Sequence, residues 1–413
     1  MGGEILFLAH RMPFPPDRGD KIRSFHVLKA LTRLAPVHVG TFAESADEMG
    51  YAADLARFTA SQKVIRRQKP LVAAGIEALI HLEPVSVAAF RHAELSAWVE
   101  GMLAKGDIDT IYVFSGQMGQ YIPASFKGRV IVDLVDVDSA KFEAYGKEKS
   151  GPVSWIEGRE GRLLAREEER LAHRADMTLL VSKQEAKLLR DRMKKPDGAT
   201  VEAMPNGIDS NAYSAERIAR EAAMRTGRGP HLIFTGQMDY APNVAAVKRV
   251  ANRILPLIRE EFPDAQFHVV GRAPTAELRA LDGKGGMRVW GGVPEVKPYL
   301  AGANLALVPL EIARGVQNKV LEAMAMELPV VLTSGAATGI DAEDGVEFAV
   351  ADDDTQLAER AIDLLKDRVA ARTMGEAARR FVVDTMSWEA SLSRLPAMLG
   401  RERNARRASR HAA

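Results

Sequence analysis

Short runs rich in β-branched residues alternate with helical stretches from one end of this chain to the other. Strands separated by helices pair in parallel, because a helical crossover returns the chain to the same end of the sheet. The helices then cover both sheet faces. In the first half the strand candidates are Ile5–Ala9, Val37–Phe42, Lys63–Arg66, Thr110–Phe114, Val130–Leu134, Met177–Val181 and Thr200–Ala203. In the second half they are Leu232–Thr235, Gln266–Val270, Met287–Val289, Leu305–Val308, Val330–Thr333 and Glu347–Val350. Helical patterns fall at Ile22–Leu34, Val85–Leu103, Trp155–Arg174, Lys183–Arg192, Asn243–Glu261, Val316–Met326 and Gln356–Lys366. The fold class is therefore α/β, with two doubly wound, Rossmann-like domains facing a cleft.

A chain of 413 residues is long for one core. The break is expected at Thr226–Pro230, a polar Gly/Pro stretch before a new strand. It leaves residues 1–226 as one domain and 227–386 as the other. Residues 387–400 read as a helix left over after the second sheet and packing back on the first domain; 401–413 read as a basic tail. A net charge of +1 gives no ground for a nucleic-acid partner. The absence of cysteine excludes disulfides, thiolate metal sites and a cysteine nucleophile. The apolar start before His10 is too short and too acidic for a signal peptide. Leu71 to Phe90 is the most lipid-like region, but Glu77, His81, Glu83 and Pro84 interrupt it, whereas a span needs about 20 mostly apolar residues. It reads as a buried amphipathic helix, with peripheral membrane contact as the alternative. A cytoplasmic protein, with the inner face of the cell membrane as the alternative site, is the expectation.

In doubly wound sheets ligands bind beyond the carboxyl ends of the strands. The loops to search are thus His10–Arg23, Gly236–Asn243, Gly271–Pro274, Gly291–Pro294 and Pro309–Gly315. The last leads into Val316–Met326, where Lys319 and Glu322 are three apart and share a helix face. A helix N-terminus offers unpaired N–H groups and positive dipole to a phosphate, and Gly315 permits close approach. One turn deeper, a carboxylate can accept hydrogen bonds from two vicinal hydroxyls, such as those of a ribose. Phosphate at the tip and hydroxyls below suit a nucleoside diphosphate. The plainer alternative is a solvated Lys–Glu pair.

The Gly-x-x-x-Lys-x-Leu-Glu-Ala-Met-Ala helix followed by Pro-Val-Val resembles the donor signature of glycosyltransferase family 4, whose members have the GT-B fold. Phe234–Asn243, Val270–Arg272, Arg314–Lys319, Val132–Ser139 and the early Pro-Pro-x-x-Gly-Asp-Lys-x-Arg loop resemble the branch associated with exosortase and PEP-CTERM systems. The resemblance implies transfer of a sugar from a nucleotide-sugar donor to a saccharide or lipid-linked acceptor in exopolysaccharide or cell-surface polysaccharide biosynthesis, with retention of configuration. It implies that Glu322 binds the ribose and that Gly315, Val316 and Lys319 hold the diphosphate. Val293 or its neighbours would meet the base, Gly236 and Gln237 would lie beneath the phosphates, and Gly19 would approach the diphosphate or the transferred sugar from the first domain.

Two departures from the family pattern stand out. Arg314 occupies the place of a first glutamate, and Gln237-Met238 stand where many members carry Arg and Lys. Cationic stabilisation of the leaving diphosphate then falls to Arg314, Lys319 and Arg272. Asp136 and Asp138, after a strand on the acceptor side, could hold the acceptor or take its proton, could bind a metal as an Asp-x-Asp, or could cap the next helix. No metal or other cofactor is expected from the resemblance. Two rivals use the same donor site: a GT-B nucleotide-sugar epimerase, and a non-catalytic nucleotide-sugar-binding protein.

Overall fold

The computed structural model describes residues 3–148, 151–224, 229–311 and 315–402. The chain divides into two compact units, 1–206 with 391–413, and 207–390. The division falls about twenty residues before the expected 226/227 break, and part of that break lies outside the described residues. Its cause is local: Ile208 and Met224 are buried in the second unit's core, and Ile208 bonds Met386 and Trp388 through backbone groups.

The first unit holds seven strands: β1 (Glu4–Ala9), β2 (Val37–Ala43), β3 (Ser61–Arg66), β4 (Ile108–Phe114), β5 (Arg129–Val135), β6 (Met177–Leu180) and β7 (Val201–Ala203). Their order is β3-β2-β1-β4-β5-β6-β7, parallel throughout. Within β1, Ile5 to Ala9 are wholly buried, as a strand covered on both faces must be. The C-terminal residues return to this unit, where Arg129 donates to the Met398 carbonyl and Arg401 pairs with Asp109.

The second unit holds β8 (His231–Thr235), β9 (Gln266–Val270), β10 (Met287–Gly291), β11 (Leu305–Val308), β12 (Val330–Leu332) and β13 (Ala349–Val350). Their order is β10-β9-β8-β11-β12-β13, again parallel. The order reverses between β8 and β11, so the crevice of this sheet opens at their carboxyl ends.

Several expectations need correction. The Val85–Leu103 pattern is two helices, Val85–Ala88 and Ala93–Leu103, with the Tyr121 hydroxyl bonded to the His92 amide and the Phe90 carbonyl at the break. The Asn243–Glu261 pattern is interrupted by a π turn at Val250–Ile254, ahead of Pro256, whose ring nitrogen has no proton to donate. The helix Leu71–Ile80 buries only Ala74 and Ala78, so it is not the buried helix expected there. Lys21 and Arg23, at the end of the first searched loop, are buried. Arg23 is sealed in the core against Asp133 at 3.0 Å, and Lys21 pairs with Glu48 at 2.7 Å. Glu168 is buried and accepts from the Ser139 amide and hydroxyl.

Candidate functional site

The second unit gathers its candidate residues at the carboxyl edge of β8, β9, β10 and β11. Backbone bonds fasten the loops there: Gly236 N–H to Val270 O, Met238 N–H to Arg272 O, and Gly271 N–H to Gly291 O. This contact leaves no room for side chains. A Cβ on Gly271 would stand 1.6 Å from the Gly236 oxygen, and one on Gly236 would press on Asn243 at 2.9 Å and on Lys319 at 3.4 Å. Only glycine permits it.

The helix Asn318–Ala325 packs Val320, Leu321, Ala323, Met324 and Ala325 into the core, which turns Lys319 and Glu322 toward the open side. Gln317 gives this helix no side-chain cap; its amide donates instead to the Gly315 carbonyl at 3.0 Å. The first-turn amides are thus uncapped by a side chain, as an anion site requires. Gly315 and Val316 are exposed, and Val316 lies against Gly339.

Lys319 is held from two sides. Its ammonium donates to Asn243 Oδ1 at 2.6 Å and stands 4.6 Å from the Phe234 ring centre. Asn243 is itself buried and donates to the Gln237 carbonyl at 2.9 Å. Burial lowers the Lys319 pKa to about 8, with Glu322 opposing the shift. Burial raises Glu322 to about 7, against the Tyr213 hydroxyl and Lys319. Tyr213 is pushed up by burial and by Glu322. A desolvated ammonium gains most from an incoming anion, so a diphosphate here would restore its proton affinity. Gln237 and Arg272 are exposed beside the same loops, and Val293 is half-buried after β10. Arg314 lies outside the described residues.

In the first unit Gly19 opens the helix Gly19–Thr32 and is exposed. Asp138 opens the helix Asp138–Glu148. Asp136 and Asp138 both pair with Lys141, at 2.8 and 3.3 Å. With Gly116, Gln117 and Glu168 they line a small hollow at the ends of β4 and β5. Among the described residues no group of three or more His, Asp or Glu side chains is placed to hold a metal ion.

Residues 229–367, which contain every candidate of the second unit, match the family model for glycosyl transferases group 1. No curated protein matches the chain by sequence. Among solved structures it is similar to Anabaena HepE in complex with UDP, at 15% identity over 96% of this chain and 99% of that one, TM-score 0.63. It is also similar to sucrose-phosphate synthase from Thermosynechococcus elongatus (18% identity, 98% and 100% covered, TM-score 0.57). A third is WaaG, a glycosyltransferase involved in lipopolysaccharide biosynthesis (17% identity, 96% and 100% covered, TM-score 0.54). The chain has the GT-B fold. The family match and the fold together support a glycosyltransferase.

Two residues of the site were not singled out from sequence. Asn243 stood in a loop marked for search but without a role; its place in the first turn after Pro242 was the available signal. Tyr213 lies in an irregular stretch that carries no motif, and only the tertiary structure brings it to Glu322.

Proposed function

We propose that this protein moves a sugar from a nucleotide-diphosphate donor to a saccharide or lipid-linked acceptor, with retention of configuration, in surface polysaccharide assembly. The observation that carries the reading is the Asn318–Ala325 helix at the switch point of the second sheet. It presents an uncapped N-terminus, a half-desolvated lysine and a half-buried carboxylate in the order a nucleoside diphosphate needs.

In this reading Gly315, Val316 and the first-turn amides receive the diphosphate. Lys319, oriented by Asn243, neutralises it together with Arg272 and Arg314. Glu322 accepts from the ribose hydroxyls, Val293 borders the base, and Gly236 and Gln237 shape the phosphate pocket. Breaking the sugar–phosphate bond leaves negative charge on the diphosphate and oxocarbenium character on the sugar, so cations preorganised at the leaving group lower the barrier. Asp136 or Asp138 holds the acceptor hydroxyl or takes its proton. No metal takes part. The protein works at the cytoplasmic face of the membrane, where lipid-linked acceptors are displayed. HepE has been captured with UDP and with UDP-glucose, which makes UDP-sugars the first donors to test.

The test is release of nucleoside diphosphate across a panel of nucleotide sugars, with and without lipid-linked acceptors. Acceptor-dependent release supports transfer. Interconversion of the donor sugar without release identifies an epimerase, and binding without either identifies a binding protein.

A further inference from the structure

The helix Leu71–Ile80 is turned inside out. Its small residues Ala74 and Ala78 face the protein, seated against Ala88 and Ala89. Its large ones, Leu71, Val72, Ile76, Leu79 and Ile80, face outward with Leu82 just beyond, each more than half exposed. A helix serving a soluble core does the reverse. A second helix packs against it. Arg159 of the helix Pro152–Arg174 donates to the Ala78 carbonyl at 3.1 Å, and Glu160 accepts from the Val85 and Ser86 amides. One turn before Arg159, Trp155 and Ile156 are 63% and 52% exposed.

The first of these two segments is net cationic. Residues 66–91 carry four Arg and Lys against two carboxylates. Both carboxylates are engaged: Glu77 by Lys69 at 2.7 Å and Arg91 at 3.0 Å, and Glu83 by Arg91. Arg66, Arg162 and Arg166 are exposed. Exposed arginines and a tryptophan on the same two segments as outward aliphatic side chains match the surface of a bilayer containing anionic phospholipid. At ten residues the helix rises about 15 Å, half of the hydrocarbon core, so it can lie in the interface but not cross it.

We infer that the Leu71–Leu82 face, with Trp155 and Ile156, docks this protein on an anionic phospholipid surface. The docking adds to the transferase reading a route to lipid-linked acceptors and stands without it.

The full chain is mixed with vesicles of phosphatidylcholine alone or with phosphatidylglycerol added, then sedimented. The expected result is co-sedimentation with the anionic vesicles, weakened by salt and reduced roughly tenfold or more in Ile76→Glu/Ile80→Glu. Both side chains are exposed, so the variant should keep its circular dichroism and its nucleoside-diphosphate binding. A wild-type protein that stays in the supernatant with every vesicle overturns the inference, as does a variant that sediments equally. A variant that converts a wild-type dimer to monomer without any lipid binding assigns the face to a second copy and also overturns it.

Discussion

Replacing Glu322 by glutamine should weaken ligand binding while stabilising the fold, a combination that neither misfolding nor an inert surface position can produce. Burial raises this carboxyl from 4.5 to about 7, which corresponds to about 3 kcal/mol against the ionised form. Because the side chain is half-buried rather than sealed, solvent reduces the net effect to about 1–2 kcal/mol. The sign follows from the direction of the shift. The folded state holds the proton more tightly than the unfolded one, so stability is full below pH 4.5 and is lost as pH rises through about 7. Glutamine, neutral throughout, should therefore raise the melting temperature by a few degrees at pH 8 and leave it unchanged near pH 4. Binding should move the other way. Hydrogen bonds to a charged acceptor contribute about 1.5–3 kcal/mol and to a neutral one about 1, so two ribose hydroxyls lose roughly 10- to 100-fold in affinity. Calorimetric titration with UDP and 2′-deoxy-UDP reads this directly. The deoxy penalty should be large in the wild type and small in Glu322→Gln. An equal penalty in both proteins would refute the ribose assignment, and a lower melting temperature at pH 8 would refute the electrostatic one.

Lys319→Ala should cost UDP roughly tenfold or more in affinity, with a smaller loss for UMP, and should destabilise by about 1–3 kcal/mol through the buried Asn243 oxygen left without its donor. Calorimetry and urea melts measure the two effects. Gly271→Ala places a Cβ on the Gly236 carbonyl and should lower stability by about 3 kcal/mol or more, while Gly101→Ala, with open space around it, should be tolerated; soluble yield and urea midpoints compare them. His268 accepts from the Trp290 indole at 3.1 Å, which leaves its other nitrogen to donate to His231 at 2.9 Å, so both rings must be neutral. Burial lowers His268 to about 3, so the stability it contributes is present above the unfolded pKa near 6.5 and lost as pH falls below it. Urea unfolding should show a loss of about 2 kcal/mol between pH 7 and 5 that His268→Gln diminishes.

The sheets were legible because the inner strands are buried on both faces and read as apolar runs, while edge strands such as Ser61–Arg66 and Met287–Gly291 are only partly buried. Gln266–Val270 and Leu305–Val308 match residue for residue, and the other strands shift by a few positions at their ends. The breaks inside long helical patterns were not legible. They depend on tertiary partners such as Tyr121 at His92, and on how Pro256 is accommodated. Leu71–Ile80 misled for a related reason: periodicity reports that a helix has an apolar face, but not which way that face is turned. Charges were the least legible of all. Arg23 and Glu168 carry no local signal of burial, and only the fold supplies Asp133 and Ser139 to bury them. At the candidate site, the spacing of Lys319 and Glu322 put them on one helix face but was equally that of a solvated pair, whereas Asn243 and Tyr213, distant in sequence, needed coordinates.

Movement of label from a UDP-sugar into a lipid-linked acceptor, followed in the wild type and in Glu322→Ala, tests the central claim most directly. The account predicts acceptor-dependent incorporation for at least one donor, with the anomeric configuration kept, and its loss in the folded variant. Incorporation that survives in Glu322→Ala, or donor sugar that changes without ever reaching an acceptor, would contradict it.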